Sequence, residues 1–131
     1  METRDALLLG IRGETLGNLS MDSSIEEKFQ NKTIRPIIKL QNDLFIEVFI
    51  NYASKQKNVF FSLSPEKKLN YIENVIQRDI KFRNSLKGMI IAFFTCQEYS
   101  EYITNSSSLN KRMMNILIER LKSQVQLLEI I

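Results

Sequence analysis

The closing run Asn105-Ser106-Ser107-Ser108-Leu109-Asn110-Lys111-Arg112-Met113-Met114-Asn115-Ile116-Leu117-Ile118-Glu119-Arg120-Leu121-Lys122-Ser123-Gln124-Val125-Gln126-Leu127-Leu128 decides the fold class. Its first four residues read as a loop and helix N-cap, because Asn and Ser side chains bond the free amides of a first turn. From about Leu109 toward Leu128 apolar residues recur at three- and four-residue steps, the period of a helix face. At ~100° per residue, Leu109, Met113, Met114, Ile116, Leu117, Ile118, Leu121, Val125, Leu127 and Leu128 span about half the circumference. A surface helix needs an arc of little more than ~100°. This helix is therefore expected to be covered on more than one side.

The helical period continues upstream. Thr95-Cys96-Gln97-Glu98 and Ser24-Ile25-Glu26-Glu27 have the spacing of capping boxes, in which hydroxyl and carboxylate each satisfy an early amide. The first opens a short helix holding Tyr99 and Tyr102. Ser64-Pro65-Glu66 starts another with a capping hydroxyl, a proline in the first turn and an early acid; Leu69, Ile72, Val75 and Ile76 form its apolar face. A break near Asp79 leads into a helix from about Ile80 to Phe94. Ile34, Ile37, Ile38, Phe45, Val48, Phe49 and Tyr52 form a further buried face, ending near Asn58. Pro36 has no amide donor, which predicts a helix start or a kink there. No strand-length alternation and no hairpin dipeptide appears. The expected fold is all-α, a bundle of four to five helices over residues 23–131 as a single domain. Residues 1–22 precede it as an N-terminal docking arm. That arm holds three of the four glycines (Gly10, Gly13, Gly17) and a charge of −2, which leaves +5 on the rest.

Two of these helices carry apolar residues off their main stripe. Met114, Ile118, Leu121 and Val125 lie toward the edge of the last helix's arc, and Ile46 and Ile50 sit one turn apart on the long first helix. The patch on the last helix is expected to form an interface between two copies of the chain, with Ile46 and Ile50 as the alternative interface, because a bundle this small has few helices with which to cover two sides of each. On the 80–94 helix, Asn84, Gly88 and Ala92 fall in one line. Small residues in such a row let another helix approach closely. Close helix packing is expected there.

Composition bounds the chemistry. The chain has 131 residues, 18 Lys and Arg against 15 Asp and Glu, and a net charge of +3. That length suits one domain and buries roughly two-thirds of the unfolded surface. Histidine and tryptophan are absent and Cys96 is the single cysteine. An internal disulfide, a Cys/His zinc site and any Ser-His-Asp or Cys-His catalytic arrangement are thereby excluded. Cys96, with no base to assist it, reads as a buried or inert thiol. No run approaches the ~18 apolar residues of a membrane span. The apolar run Ala6–Leu9 is too short for a signal-peptide core. A cytoplasmic location and no cofactor are expected.

Arg78, Arg83 and Lys87, with Lys81 between them and Arg35 as a neighbour in space, are the candidate contacts to an anion or nucleic acid. Cations interleaved with Phe82 suit a phosphate surface, although only Arg83 and Lys87 share a helix face.

Gln41-Asn42-Asp43-Leu44-Phe45, the run Arg78-Asp79-Ile80-Lys81-Phe82-Arg83-Asn84-Ser85-Leu86-Lys87-Gly88 and Ser107-Ser108-Leu109-Asn110-Lys111-Arg112-Met113-Met114-Asn115 resemble a family of short uncharacterised bacterial proteins over about residues 10–124. The resemblance implies a complete small protein. Some members of that family carry the name glyoxalase, which implies a paired βαβββ fold and a metal held by His and Glu. The resemblance brings no catalytic residue to a numbered position of this chain, which has neither histidine nor a strand pattern.

The functional expectation is a non-enzymatic helical protein that works by self-association, as a homo-dimer, and by binding a protein partner. A nucleic-acid-binding or regulatory bundle using the 78–87 segment is the alternative, and a glyoxalase-like enzyme the second.

Overall fold

The helix starts behind Thr3, Ser24, Ser64, Asp79 and Thr95 lie where a capping side chain stands, whereas the helices from Arg35, Asn42 and Ser106 begin without a side-chain cap among the described residues. In the computed structural model, which describes residues 3–13 and 23–130, α1 spans Arg4–Arg12 behind Thr3, whose hydroxyl accepts the Ala6 amide. Ser24 caps α2 (Ile25–Phe29) by accepting from the Glu27 amide. A π-helical turn, Gln30–Ile34, runs without a break into α3 (Arg35–Leu40). One turn residue, Gln41, separates this from α4 (Asn42–Lys55). Lys57 and Asn58 then take left-handed backbone angles and end the element. A 3-10 turn over Val59–Ser62 leads to Ser64, which caps α5 (Pro65–Arg78). Asp79 caps α6 (Ile80–Ile91) by accepting from the Phe82 amide. The full reciprocal capping box forms at Thr95 and Glu98 ahead of α7 (Cys96–Tyr102). Finally, α8 covers Ser106–Ser123 and gives way to a 3-10 turn at Val125–Leu127. The class is all-α, with no strand among the described residues and more helical segments than four or five.

Pro36 stands in the first turn of α3, the helix start that its missing donor predicts, although the chain enters it from the π turn without a break. The chain continues through it because the preceding turn widens, so that the Arg35 amide bonds the Gln30 carbonyl five residues back. In an ordinary α-helix the residue at position 36 would donate to the Lys32 carbonyl, and proline cannot. That carbonyl instead accepts from Arg12 Nη2 at 3.4 Å. A missing donor in one helix thus becomes part of the seat for another.

The core lies around α8, which packs against α5, α6 and the π turn. Leu109, Met113, Met114, Leu117, Ile118 and Leu121 are all buried within the single chain. Of the residues expected at an interface, Met114, Ile118 and Leu121 are 1–2% exposed within the single chain, so these three are corrected to core positions. Ile46 is also buried, and Ile50 and Val125 are half-buried against the same core. The wide arc is covered within the chain by α5, α6 and the π turn, which all pack on α8. The row on α6 is corrected as well. Asn84, Gly88 and Ala92 are exposed, and a Cβ added to Gly88 would meet nothing within 4 Å. This helix turns Phe82, Leu86 and Ile90 inward, so the small residues opposite them face water.

The helix α1 docks by its polar residues. Arg4 donates to the carbonyls of Ala92 and Phe94, and Asp5 accepts the Cys96 amide at the start of α7. Arg12 pairs with Glu98 at 2.5 and 2.7 Å and donates to the Phe93 carbonyl. Leu7, Leu9 and Ile11 remain more than half exposed. Gly13 ends the helix at φ +80°, a backbone conformation that side chains disfavour. The remainder of the expected arm, residues 14–22 with Gly17, lies outside the described residues.

Candidate functional site: an arginine groove between α3 and α8

The helix α8 has two complementary halves. One faces the core; the other carries Ser108, Lys111, Arg112, Asn115, Ile116, Glu119, Arg120 and Ser123. Together with Gln30 and Arg35 from the facing helix, these residues line an open groove of 690 Å³. Four cations and one acid give the groove a charge of +3. Removing those five from the chain's 18 cations and 15 acids leaves fourteen of each elsewhere. The net charge of the molecule therefore equals that of this one groove.

Neutral amides hold the arginines. Arg112 Nη1 donates to Gln30 Oε1 at 2.8 Å, and Gln30 Nε2 reaches Asn31 Oδ1 at 3.5 Å. Asn31 Oδ1 also accepts from Arg35 Nε at 3.0 Å. Two amide side chains on the π turn thus join one arginine from each wall. At the far end, Arg120 Nε donates to Asn42 Oδ1 at 2.8 Å, and Asn42 and Gln124 exchange two further bonds. An amide orients a guanidinium without neutralising it. Among the described residues, Arg35, Arg112 and Arg120 form no ion pair, and Glu119 lies 3.8 Å from Lys122. Glu26 is held below the ordinary carboxylate value by backbone hydrogen bonding first and by Asn105 next; the field of Arg112 contributes least. An oriented guanidinium with free N–H groups matches a carboxylate or phosphate in two-pronged fashion. The π turn beneath this relay is a feature often found at functional positions.

Of the cations expected as anion contacts, those of the 78–87 segment lie outside the groove lining. Arg78 and Lys81 are exposed, while Arg83 and Lys87 are half-buried, with Arg83 donating weakly to the Gln77 carbonyl at 3.5 Å. Arg35 belongs to the groove beside α8. Sequence reading missed Lys111, Arg112 and Arg120 as candidates; Arg112 and Arg120 owe their value to being joined to residues some eighty positions earlier, and Lys111 to lining the same groove. The Gln30-Asn31 and Asn42 amides were the available signal, and they look like ordinary solvated side chains until the helices pair.

Two other places hold chemistry. Arg12, Glu98 and Thr33 form a buried cluster in which the Thr33 hydroxyl donates to Glu98 at 2.6 Å. Burial pushes the Glu98 carboxyl up, but bonds from Arg12, Thr33 and the Thr95 amide outweigh it and hold the group below its ordinary value. The cluster is a fastening for α1. A larger hollow of 870 Å³ beside it is lined by Leu9, Ile25, Phe29 and Leu109 among others. Cys96, expected as buried or inert, is exposed. Among the described residues, no group of three or more Cys, Asp or Glu converges closely enough to hold a metal ion. No helix among them is long and apolar enough to cross a membrane.

Compared with protein-family models, curated proteins and solved structures, the chain matches none.

Proposed function

We propose that this chain is a non-enzymatic helical binding module that takes up an anionic segment of a partner in the groove between α3 and α8. One observation carries the reading: three arginines are fixed by neutral amides and left without carboxylate partners. A surface arginine of merely solvating use has no need of such fixing. Burying or orienting a long side chain costs conformational entropy, and here that cost is met before any ligand arrives. The reading keeps partner binding and sets self-association aside, because the arc that argued for a second copy is covered within one chain. A cytoplasmic setting belongs to the same proposal and rests on the single cysteine.

The test uses a labelled polyglutamate probe at low ionic strength, followed by fluorescence anisotropy. Binding is expected, and it should weaken steeply with added salt, since exposed charges are screened beyond ~10 Å at 0.1 M. Arg112→Glu with Arg120→Glu should abolish it, while Arg78→Glu with Arg83→Glu should leave it. Equal loss in both variants would show attraction by net charge alone and would overturn the groove.

A further inference from the structure

The groove's charges are not evenly distributed, and their arrangement selects among anionic partners. Arg112 and Arg120 are eight residues apart on α8, which places them ~12 Å apart along the helix axis. Ile116 lies midway between them, half-buried and packed against the core. Arg35 faces this stripe from the other wall, and Ser108 and Ser123 stand at its two ends. The lining is thus cation, apolar, cation, with hydroxyls at the ends.

Resting on the reading of the groove as an anion site, we propose that its occupant is an acidic amphipathic helix of a partner protein. Such a helix presents carboxylates at positions i and i+7 or i+8, ~11–12 Å apart. Between them, at i+3 or i+4, it presents an apolar residue on the same face. The carboxylates meet Arg112 and Arg120, and the apolar residue meets Ile116. Arg35 takes a further acid from the side. This is the helix-in-groove mode, in which spaced anchors on one helix face fill a preformed surface. A nucleic-acid strand satisfies the cations but has no fixed apolar partner for Ile116 midway between two phosphate contacts. Charge complementarity together with that central apolar contact favours the helix. Glu119, on the groove wall, adds specificity by repelling an acid placed in the wrong register.

The experiment compares four probes of equal net charge against the full chain. They are a helix-forming peptide with Glu at i and i+7 and Leu at i+4, a scrambled peptide of the same composition, polyglutamate, and a single-stranded oligonucleotide. The patterned peptide is expected to bind about tenfold more tightly than the scramble and to gain helical signal on binding. Ile116→Ser leaves the charge unchanged and should bring patterned and scrambled peptides to the same affinity, while polyglutamate binding persists. If patterned and scrambled peptides bind equally to the unaltered chain, or the oligonucleotide binds more tightly than either, the helix proposal fails and the anion groove stands. If none of the four binds at low salt, both readings fail.

Discussion

Arg12 shows how much one side chain decides here. It is 6% exposed, donates two bonds to Glu98 and one each to two backbone carbonyls, and joins α1 to three other segments. Its Nε is buried with no hydrogen-bond partner among the described residues. Truncating one member of a buried ion pair leaves the other charge uncompensated, which typically costs about 3–5 kcal/mol. Arg12→Ala is therefore expected to lower the urea midpoint and to speed amide exchange in α1 first, since that helix loses its main fastening. Adding Glu98→Gln should restore part of the loss, because glutamine needs no counterion. A midpoint unchanged by Arg12→Ala would contradict the role given to the pair. The pH dependence follows from the lowered carboxyl. The stabilisation from Glu98 is fully present above its ordinary value of 4.5 and is lost as pH falls through the lower value it has in the folded chain. Exchange in α1 should accelerate over that acid range and not between pH 6 and 8. The capping side of this site was legible, since Thr95 and Glu98 announce a box. The partner was not: nothing near Arg12 in sequence points to a carboxylate eighty-six positions away.

At the level of the helices, α6 gives the cleanest contrast between pattern and packing. Its row of Asn84, Gly88 and Ala92 has the spacing of a close helix crossing, yet those residues face water. Periodicity identifies a face as distinct but does not say what lies against it. Gly88 is helical, exposed and free of neighbours for a Cβ, so only the propensity term remains. Gly88→Ala should stabilise the chain by up to about 1 kcal/mol, read as a rise in melting temperature. A fall would mean that something does pack on this row. Helix existence was well marked by Ser64-Pro65, Asp79 and Thr95, because capping is local chemistry. Helix ends were less legible. The amides of Phe93 and Phe94 bond the carbonyls of Ile90 and Ile91 in a tightening turn, and the bonds of Arg4 and Arg12 to the carbonyls of residues 92–94 fall on that same corner. The π turn at Gln30–Ile34 was signalled by Pro36 only as a disturbance. The bond from Arg12 to the Lys32 carbonyl, which arrives from outside the helix, had no signal near the proline at all.

For the whole molecule, the question is what covers the broad apolar arc of α8. One chain suffices: with the π turn, α5 and α6 packed on α8, Ile118 is left at 2% exposure and Leu121 at 1%. Ile118→Glu should accordingly unfold the domain, with a loss of about 4 kcal/mol or more from an unpaired charge in the core. A helical, smaller species from that substitution would instead restore the two-chain interface. The wide arc was read correctly as being covered on more than one side. Sequence alone could not show that one chain covers both sides, because burial depends on how helices far apart in sequence are arranged.

The same arrangement gathers the charge. Arg35, Lys111, Arg112 and Arg120 come from two distant segments and form the surface on which the functional account rests. Their guanidinium Nε–H groups can be observed individually by nitrogen-15 NMR while polyglutamate is added at low salt. The account predicts shifts at Arg35, Arg112 and Arg120 that saturate together, with Arg78 and Arg83 unmoved. Shifts centred on Arg78 and Arg83, or spread evenly over every exposed arginine, would contradict it.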